Sequence, residues 1–308
     1  MTRPSDILDP PELAALRRKS DWRGPMLVIH AWAVIFGAMA LVAWWPNPVD
    51  FPIAVVVIAG RQLGLAVLMH DAAHKLLCTD GDWNDGIGAW LCGYPVIADL
   101  ARYRPYHLTH HRFVQSAEDP DLGLSAAFPT TRASLRRKFL RDLTGRTALK
   151  QRLAQARAAL GAPDRPPARR LADFWRTLSG PILSNAALAA LLAASGYWWL
   201  YPTLWLLPLF TVYQLVSRIR NIAEHAMVPD DSDDFRNART TLAGWLERAV
   251  LAPYWVNYHV EHHLLMTVPC YRLPAARAAL LAGGYGDRIE TQPGYAAVLR
   301  LVTAPPAG

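Results

Sequence analysis

Nine of the ten histidines in this 308-residue chain fall into four short groups. His70 and His74 stand as H-x-x-x-H in HDAAH, and His107, His110 and His111 as H-x-x-H-H in HLTHH. His225 closes NIAEH, and His259, His262 and His263 form a second H-x-x-H-H in HVEHH. Only His30 stands apart. Residues three and four apart share one face of a helix, so each group presents its rings together. Neutral imidazole is a good ligand for transition metals. Nine rings exceed the needs of one ion, so the pattern predicts two. Surface histidines explain a single H-x-x-x-H, but not three multi-histidine motifs plus His225 in a chain with ten histidines.

These groups need a scaffold, and composition says which kind. The chain is 52% hydrophobic and 19% charged, which excludes a disordered protein. Mean hydropathy is only +0.09, but the apolar residues are clustered. Thr177 to Ser217 contains no Asp, Glu, Lys or Arg. One helix of that length would be ~60 Å, about twice the hydrocarbon thickness. It breaks at Ser195-Gly196 and Pro202, beside the aromatic cluster Tyr197, Trp198, Trp199 and Tyr201. The expected spans are about 25–45, 51–69, 178–195 and 201–217. The first is too long for a signal-peptide core and reads as a retained span.

Of 32 basic residues, 5 lie in 1–24, 17 in 70–176 and 9 in 218–308, with Arg61 the remainder. The positive-inside rule therefore predicts a cytoplasmic N-terminus, C-terminus and cap, the cap built from 70–176 and 218–308. All four histidine groups fall in the cap. Two crossings separate them, so they emerge on the same side. The fold class expected is an all-α integral membrane protein: four transmembrane helices under a cytoplasmic helical cap with a His-rich two-metal site, one domain over 1–308. Stretches 133–143, 148–160 and 241–255 read as helices on the membrane surface or over the site. The net charge of +7 and pI near 9.5 suit basic loops; no recognition motif accompanies them, so nucleic acid is not an expected partner. Cys78, Cys92 and Cys270 form no C-x-x-C, which argues against a disulfide scaffold or a cysteine zinc site. Arg-heavy, Lys-poor usage hints at a bacterium, hence its inner membrane.

HDAAH, HLTHH followed by EDPD at 118–121, NIAEH, and YHVEHHL followed by VPCYRLP resemble the membrane fatty acid desaturase superfamily, from about Arg61 to Pro274. Members include acyl desaturases, hydroxylases and carotenoid ketolases. The resemblance implies four spans and a cytoplasmic cap with two non-haem irons. It implies iron ligation by His70, His74, His107, His110, His111, His225, His259, His262 and His263. Asn221 matches a position that can hold iron through a water, and ordinary polar packing is its alternative. O₂ would be the co-substrate, a lipid or acyl chain the substrate, and a separate donor such as ferredoxin the electron source, since no fused electron-transfer domain is recognisable. Segment 122–176 and the last 30 residues match no motif.

Asp71, Asp119, Asp121, Glu224 and Glu261 lie inside the motifs and are candidates to accept the second ring N–H of a ligating histidine; surface ion pairs are the alternative. Arg61 lies nine residues before His70, roughly 13 Å along a helix. A mid-span arginine suggests contact with a lipid head group or polar substrate atom, or a buried bond to helix carbonyls. The leading expectation is an O₂-dependent acyl desaturase. A hydroxylase or ketolase of a lipid, sphingoid chain or carotenoid competes on the same scaffold. A zinc hydrolase lacks H-E-x-x-H because residue 71 is Asp, and a metal transporter would want more ionisable residues within the spans.

Overall fold

The computed structural model describes residues 3–304; the extreme ends, to which the cytoplasmic placement of both termini extends, lie outside the described residues. Nearly all regular structure is helical. After α1 (Pro10–Leu16) come α2 (Arg23–Trp44) and α3 (Asp50–Ala73), then α4 (Gly81–Ile87), α5 (Leu100–Phe113), α6 (Leu122–Ser125), α7 (Arg132–Leu143), α8 (Arg146–Ala159) and α9 (Pro167–Ala194). The chain continues through α10 (Leu207–Phe210), α11 (Val212–His225), α12 (Trp245–Val250), α13 (His259–Leu264), α14 (Leu273–Ala282) and α15 (Tyr295–Leu301). The strands β1 (Thr240–Thr241) and β2 (Thr291–Gln292) pair in parallel and tie the C-terminal segment to the stretch between α11 and α12.

Three helices, α2, α3 and α9, are long and apolar enough to cross a bilayer. At 22 residues, the shortest spans about 33 Å. α3 is the central one: 67% of its apolar stretch is buried, against 28% in α2 and 22% in α9. Met26, Ile29 and Leu41 of α2 and Leu171, Leu183 and Leu191 of α9 point outward and are exposed, as lipid-facing side chains are. The expected fourth span is interrupted. Residues 201–206 form a π-helical turn, α10 follows, and the backbone breaks at Thr211 (φ −123°, ψ −88°) before α11 begins. Pro202 and Pro208 each remove a helix donor there. Four unbroken crossings are therefore not seen.

Polar pins fix the bundle's register. Trp205 Nε1 and the Tyr201 hydroxyl donate to Asn185 Oδ1 at 3.0 and 3.2 Å, while Asn185 Nδ2 donates to the carbonyls of Tyr94, Pro95 and Pro181. Gln62, fully buried, donates to the Trp205 carbonyl at 2.8 Å. Gly24 lets α2 touch the segment after α3: a Cβ there would sit 1.9 Å from the Leu77 carbonyl oxygen. These contacts hold the end of α3 where the first two histidines stand.

Candidate metal centre

Four elements bring the imidazoles together. His70 lies in the last turn of α3 and His74 caps it; His107, His110 and His111 are on α5; His225 ends α11; His259, His262 and His263 are on α13. They sort into two groups. His70, His74, His107, His111 and His262 form one; His110, His225, His259 and His263 form the other, with the offered ligand atoms within 4.8 Å of one another. Each H-x-x-H-H motif is divided. α5 gives its i,i+4 pair to the first group and His110 to the second, whereas α13 gives its i,i+4 pair to the second and His262 to the first. The centre therefore has an approximate two-fold character. The His111 and His263 rings, one from each group, lie 4.4 Å apart.

The spacing fits metal ions. Nε2 atoms approach at 2.9 Å (His74 to His107), 3.0 Å (His107 to His111), 3.0 Å (His111 to His262), 2.8 Å (His225 to His259) and 3.1 Å (His259 to His263). Two nitrogens each about 2.1 Å from one ion, at right angles, are about 3.0 Å apart. Both ring nitrogens of His70 are buried without a hydrogen-bond partner, and a bound cation would take the lone pair of one of them. Burial first, and neighbouring imidazoles next, hold His107, His111, His262 and His263 well below the usual histidine range. Burial with Arg104 lowers His74 to about 4, and burial with His110 lowers His225 to about 3. These rings are neutral donors at neutral pH.

The acidic candidates divide. Asp119 Oδ1 meets His110 Nδ1 at 2.8 Å, and its carboxylate also accepts N–H from Gln115 and Asp121. Burial pushes the Asp119 carboxyl up, but His110 and those backbone donors outweigh it and the net position is lowered. Asp121 lies 3.8 Å from His110 Nδ1 and accepts from the Tyr106 hydroxyl. Glu224 is 3.6 Å from His259 Nδ1 and is gripped by Arg220 at 2.6 Å. Asp71 instead accepts the Cys270 N–H at 3.0 Å, 3.8 Å from the ring of His70. Glu261 bonds Thr240 and Arg277 and reaches no imidazole. Arg61 donates to the Ala249 carbonyl, across to α12 rather than within its own helix.

Asn221 lines a cavity of about 180 Å³ together with His110, His225 and His259. Tyr103, Tyr106, Asp121, Ser125 and Arg220 complete much of its wall. Asn221 and Leu124 also line an adjoining cavity of about 140 Å³ that runs to Lys138, Gln151 and Arg218. Both are polar-lined. From the other side, a cavity of about 330 Å³ rimmed by Arg3 and Arg17 reaches His111 and His263.

Arg104 is a positioning residue that the motifs do not mark. It forks onto Asp85 at 2.6 and 3.0 Å and donates to the carbonyls of Ala72 and Ala73 at 3.0 and 2.9 Å, so it clamps the end of α3 between His70 and His74. Its signal was its place three residues before His107, on the same face of α5. Gln115 holds the His225 carbonyl at 2.8 Å.

Replacing Asp119 with Asn keeps its shape and loses its charge toward His110. Metal affinity at the four-histidine group should fall about 10- to 100-fold, read by chelator competition. Unchanged affinity would mean Asp119 serves only its loop.

Residues 46–290 match the fatty acid desaturase family. The chain is 28% identical to "Dihydrorhizobitoxine desaturase" of Bradyrhizobium elkanii, over 91% of this chain and 79% of that protein. It is 24% identical to "Beta-carotene ketolase" of Paracoccus sp. (strain PC1), over 81% of this chain and 89% of that protein.

Proposed function

Because this chain belongs to the fatty acid desaturase family and is a desaturase-like oxidoreductase, we propose that its two imidazole groups hold two non-haem irons and that it uses O₂ to introduce a double bond into the chain of a lipid or acyl substrate. The observation that carries this reading is the sorting of nine imidazoles into adjacent groups of five and four. When bound, iron would activate O₂, the oxidant that an unactivated C–H bond requires. The protein binds, orients and shields. Positive charge brought to the centre would be faced by the buried carboxylates of Asp71 and Asp119, neither of which is paired with an arginine or lysine among the described residues. Asp119 accepts from His110 Nδ1, which leaves Nε2 of that ring for coordination. Arg104 sets the height of His70 and His74, and the packed ends of α3, α5 and α13 keep bulk water from the rings.

The cavity beside Asn221 receives the reacting carbons. Its polar wall supports a substrate with a polar group within a few bonds of those carbons over a plain long hydrocarbon. Electrons come from a separate acidic donor such as ferredoxin, drawn to the basic cytoplasmic face. The chain sits in a bacterial inner membrane with this face and both termini inward. The second reading, hydroxylation or ketolation on the same residues, is supported by the ketolase relative.

Mass spectrometry of both lipid and aqueous extracts from a host expressing the protein, beside a host expressing His259→Ala, tests this. The expected product is lighter by two hydrogens and absent from the variant. A product that has gained an oxygen, with the loss of two hydrogens for a ketone or without it for an alcohol, selects the second reading, equal product in both hosts removes His259 from the reaction, and a product confined to plain hydrocarbon chains overturns the polar-group assignment. Donor-supported turnover should fall severalfold when ionic strength rises from low values to about 0.5 M, where exposed charges are screened within a few ångströms. Unchanged turnover would rule out electrostatic docking.

A further inference from the structure

A separate cavity, about 520 Å³, lies between α2, α3 and the α12 segment, and no residue of either imidazole group lines it. Leu27, Val34, Val57, Val250 and Trp255 give it apolar walls, and Arg61 and Arg248 give it two cations. Arg61 is only 7% exposed. One of its terminal nitrogens donates to the Ala249 carbonyl, and its guanidinium carbon lies 5.4 Å from the centre of the Tyr254 ring. Among the described residues, neither Arg61 nor Arg248 has a carboxylate within ion-pairing distance, although ten other arginines and lysines do. A buried guanidinium between apolar walls without a counter-charge is unfavourable by itself. An anion in the cavity would complete it.

The height of the site agrees. α12 packs on α3 where Gly60 and Arg61 stand: a Cβ at Gly60 would meet the Ala249 carbonyl at 2.9 Å. α12 exposes Trp245 (78%), at the rim of the cavity, and Leu246 (59%), the pattern of a helix lying in the head-group region of a bilayer. Arg61 and Arg248 therefore sit at that level. The backbone is also held in an uncommon shape to build the wall. Tyr254 and Trp255 are consecutive non-glycine residues with left-handed φ of 54° and 61°, a conformation that persists only when the surroundings enforce it. The Tyr254 hydroxyl donates to the Leu27 carbonyl at 3.1 Å and lies 3.0 Å from His30 Nδ1. This pins the ring beside the guanidinium and turns Trp255 into the cavity.

We propose that this cleft binds an anionic amphiphile, its phosphate or carboxylate on Arg61 and Arg248 and its hydrocarbon chain along the apolar walls. The site stands apart from the oxidative chemistry and does not depend on it. Purified full-length protein in a neutral detergent, examined by native mass spectrometry with phosphatidylglycerol, phosphatidylcholine or palmitate at equal concentration, tests it. The expected result is at least tenfold greater retention of an anionic amphiphile than of phosphatidylcholine. Preference for phosphatidylglycerol identifies a membrane phospholipid; preference for palmitate identifies a fatty carboxylate. Arg248→Ala, a change at an exposed rim position, should reduce retention severalfold, and Arg61→Gln should remove the preference where that variant folds. Equal retention of phosphatidylcholine by the wild type, or an anionic preference undiminished in Arg248→Ala, overturns the proposal.

Discussion

Replacing His259 with alanine should leave the protein with about one metal ion per chain and no detectable product, whereas His262→Ala should retain most of both ions. The difference follows from the unequal donor sets. His259 belongs to the group of four and His262 to the group of five. Removing one ring leaves three donors in the first case and four in the second. Structural zinc sites with four protein donors are bound by about 10–16 kcal/mol, which is on the order of 3–4 kcal/mol per donor. Each lost ring then weakens its ion by a factor of about 10² to 10³, and the poorer group has less to lose before the ion leaves during purification. Both variants are small cuts at buried positions on the same short helix, so general damage to α13 would affect them alike. Product should fall at least tenfold in His262→Ala as well, because ligation there is incomplete. Elemental analysis beside circular dichroism checks both. Equal metal loss in the two variants would contradict the division into five and four.

That division was not legible in the sequence, although its ingredients were. The i,i+3 and i,i+4 spacings put the rings of each motif on one helix face, and the structure brings all nine together. The sharing of each H-x-x-H-H between two groups depends on how α5 and α13 cross, which no local spacing records. The acidic candidates show the same limit in another form. Adjacent residues on a helix point about 100° apart. Asp71 therefore turns from His70 toward the Cys270 N–H, and Glu261, between His259 and His262, turns toward Thr240 and Arg277. Asp119 reaches His110 because the loop after α5 folds back, with Gln115 at a φ of 62°. The apolar runs behaved likewise. Stretch 51–69 lies within α3, and 25–45 and 178–195 lie within α2 and α9 save for the last residue of each. Residues 201–217, just as free of charge, are broken in the structure. Hydropathy counts transfer energy and is blind to donors removed by Pro202 and Pro208, yet both prolines are visible in the sequence. Arg61 was marked as an oddity by its mid-span position; its carbonyl partner on α12, 188 residues later, was not foreseeable.

Glu261 also carries the second large effect, on stability rather than on metal. Its side chain is fully buried. One oxygen accepts from the Thr240 hydroxyl, and the other from Arg277 at 2.6 Å. Thr240 Oγ1 also accepts the N–H of Val260 at 3.2 Å, and Arg277 reaches Thr291 Oγ1 at 3.3 Å. The network therefore ties α13 to β1, β2 and α14 at once. Arg277→Ala strands a carboxylate with no counter-charge in the interior, which should destabilise the fold by about 3–5 kcal/mol. The joint change Glu261→Leu with Arg277→Met removes both charges and should recover most of that loss, since an apolar pair of similar size avoids the desolvation that the ion pair must offset. Denaturant titration in mixed micelles measures both. Because Glu261 touches no ring, metal bound per folded chain should stay near the wild-type value in Arg277→Ala, in contrast to His259→Ala. Loss of metal without loss of stability would show that the Glu261–Arg277 pair acts on the neighbouring histidines, and that the sequence position of Glu261, rather than its bonds, states its role.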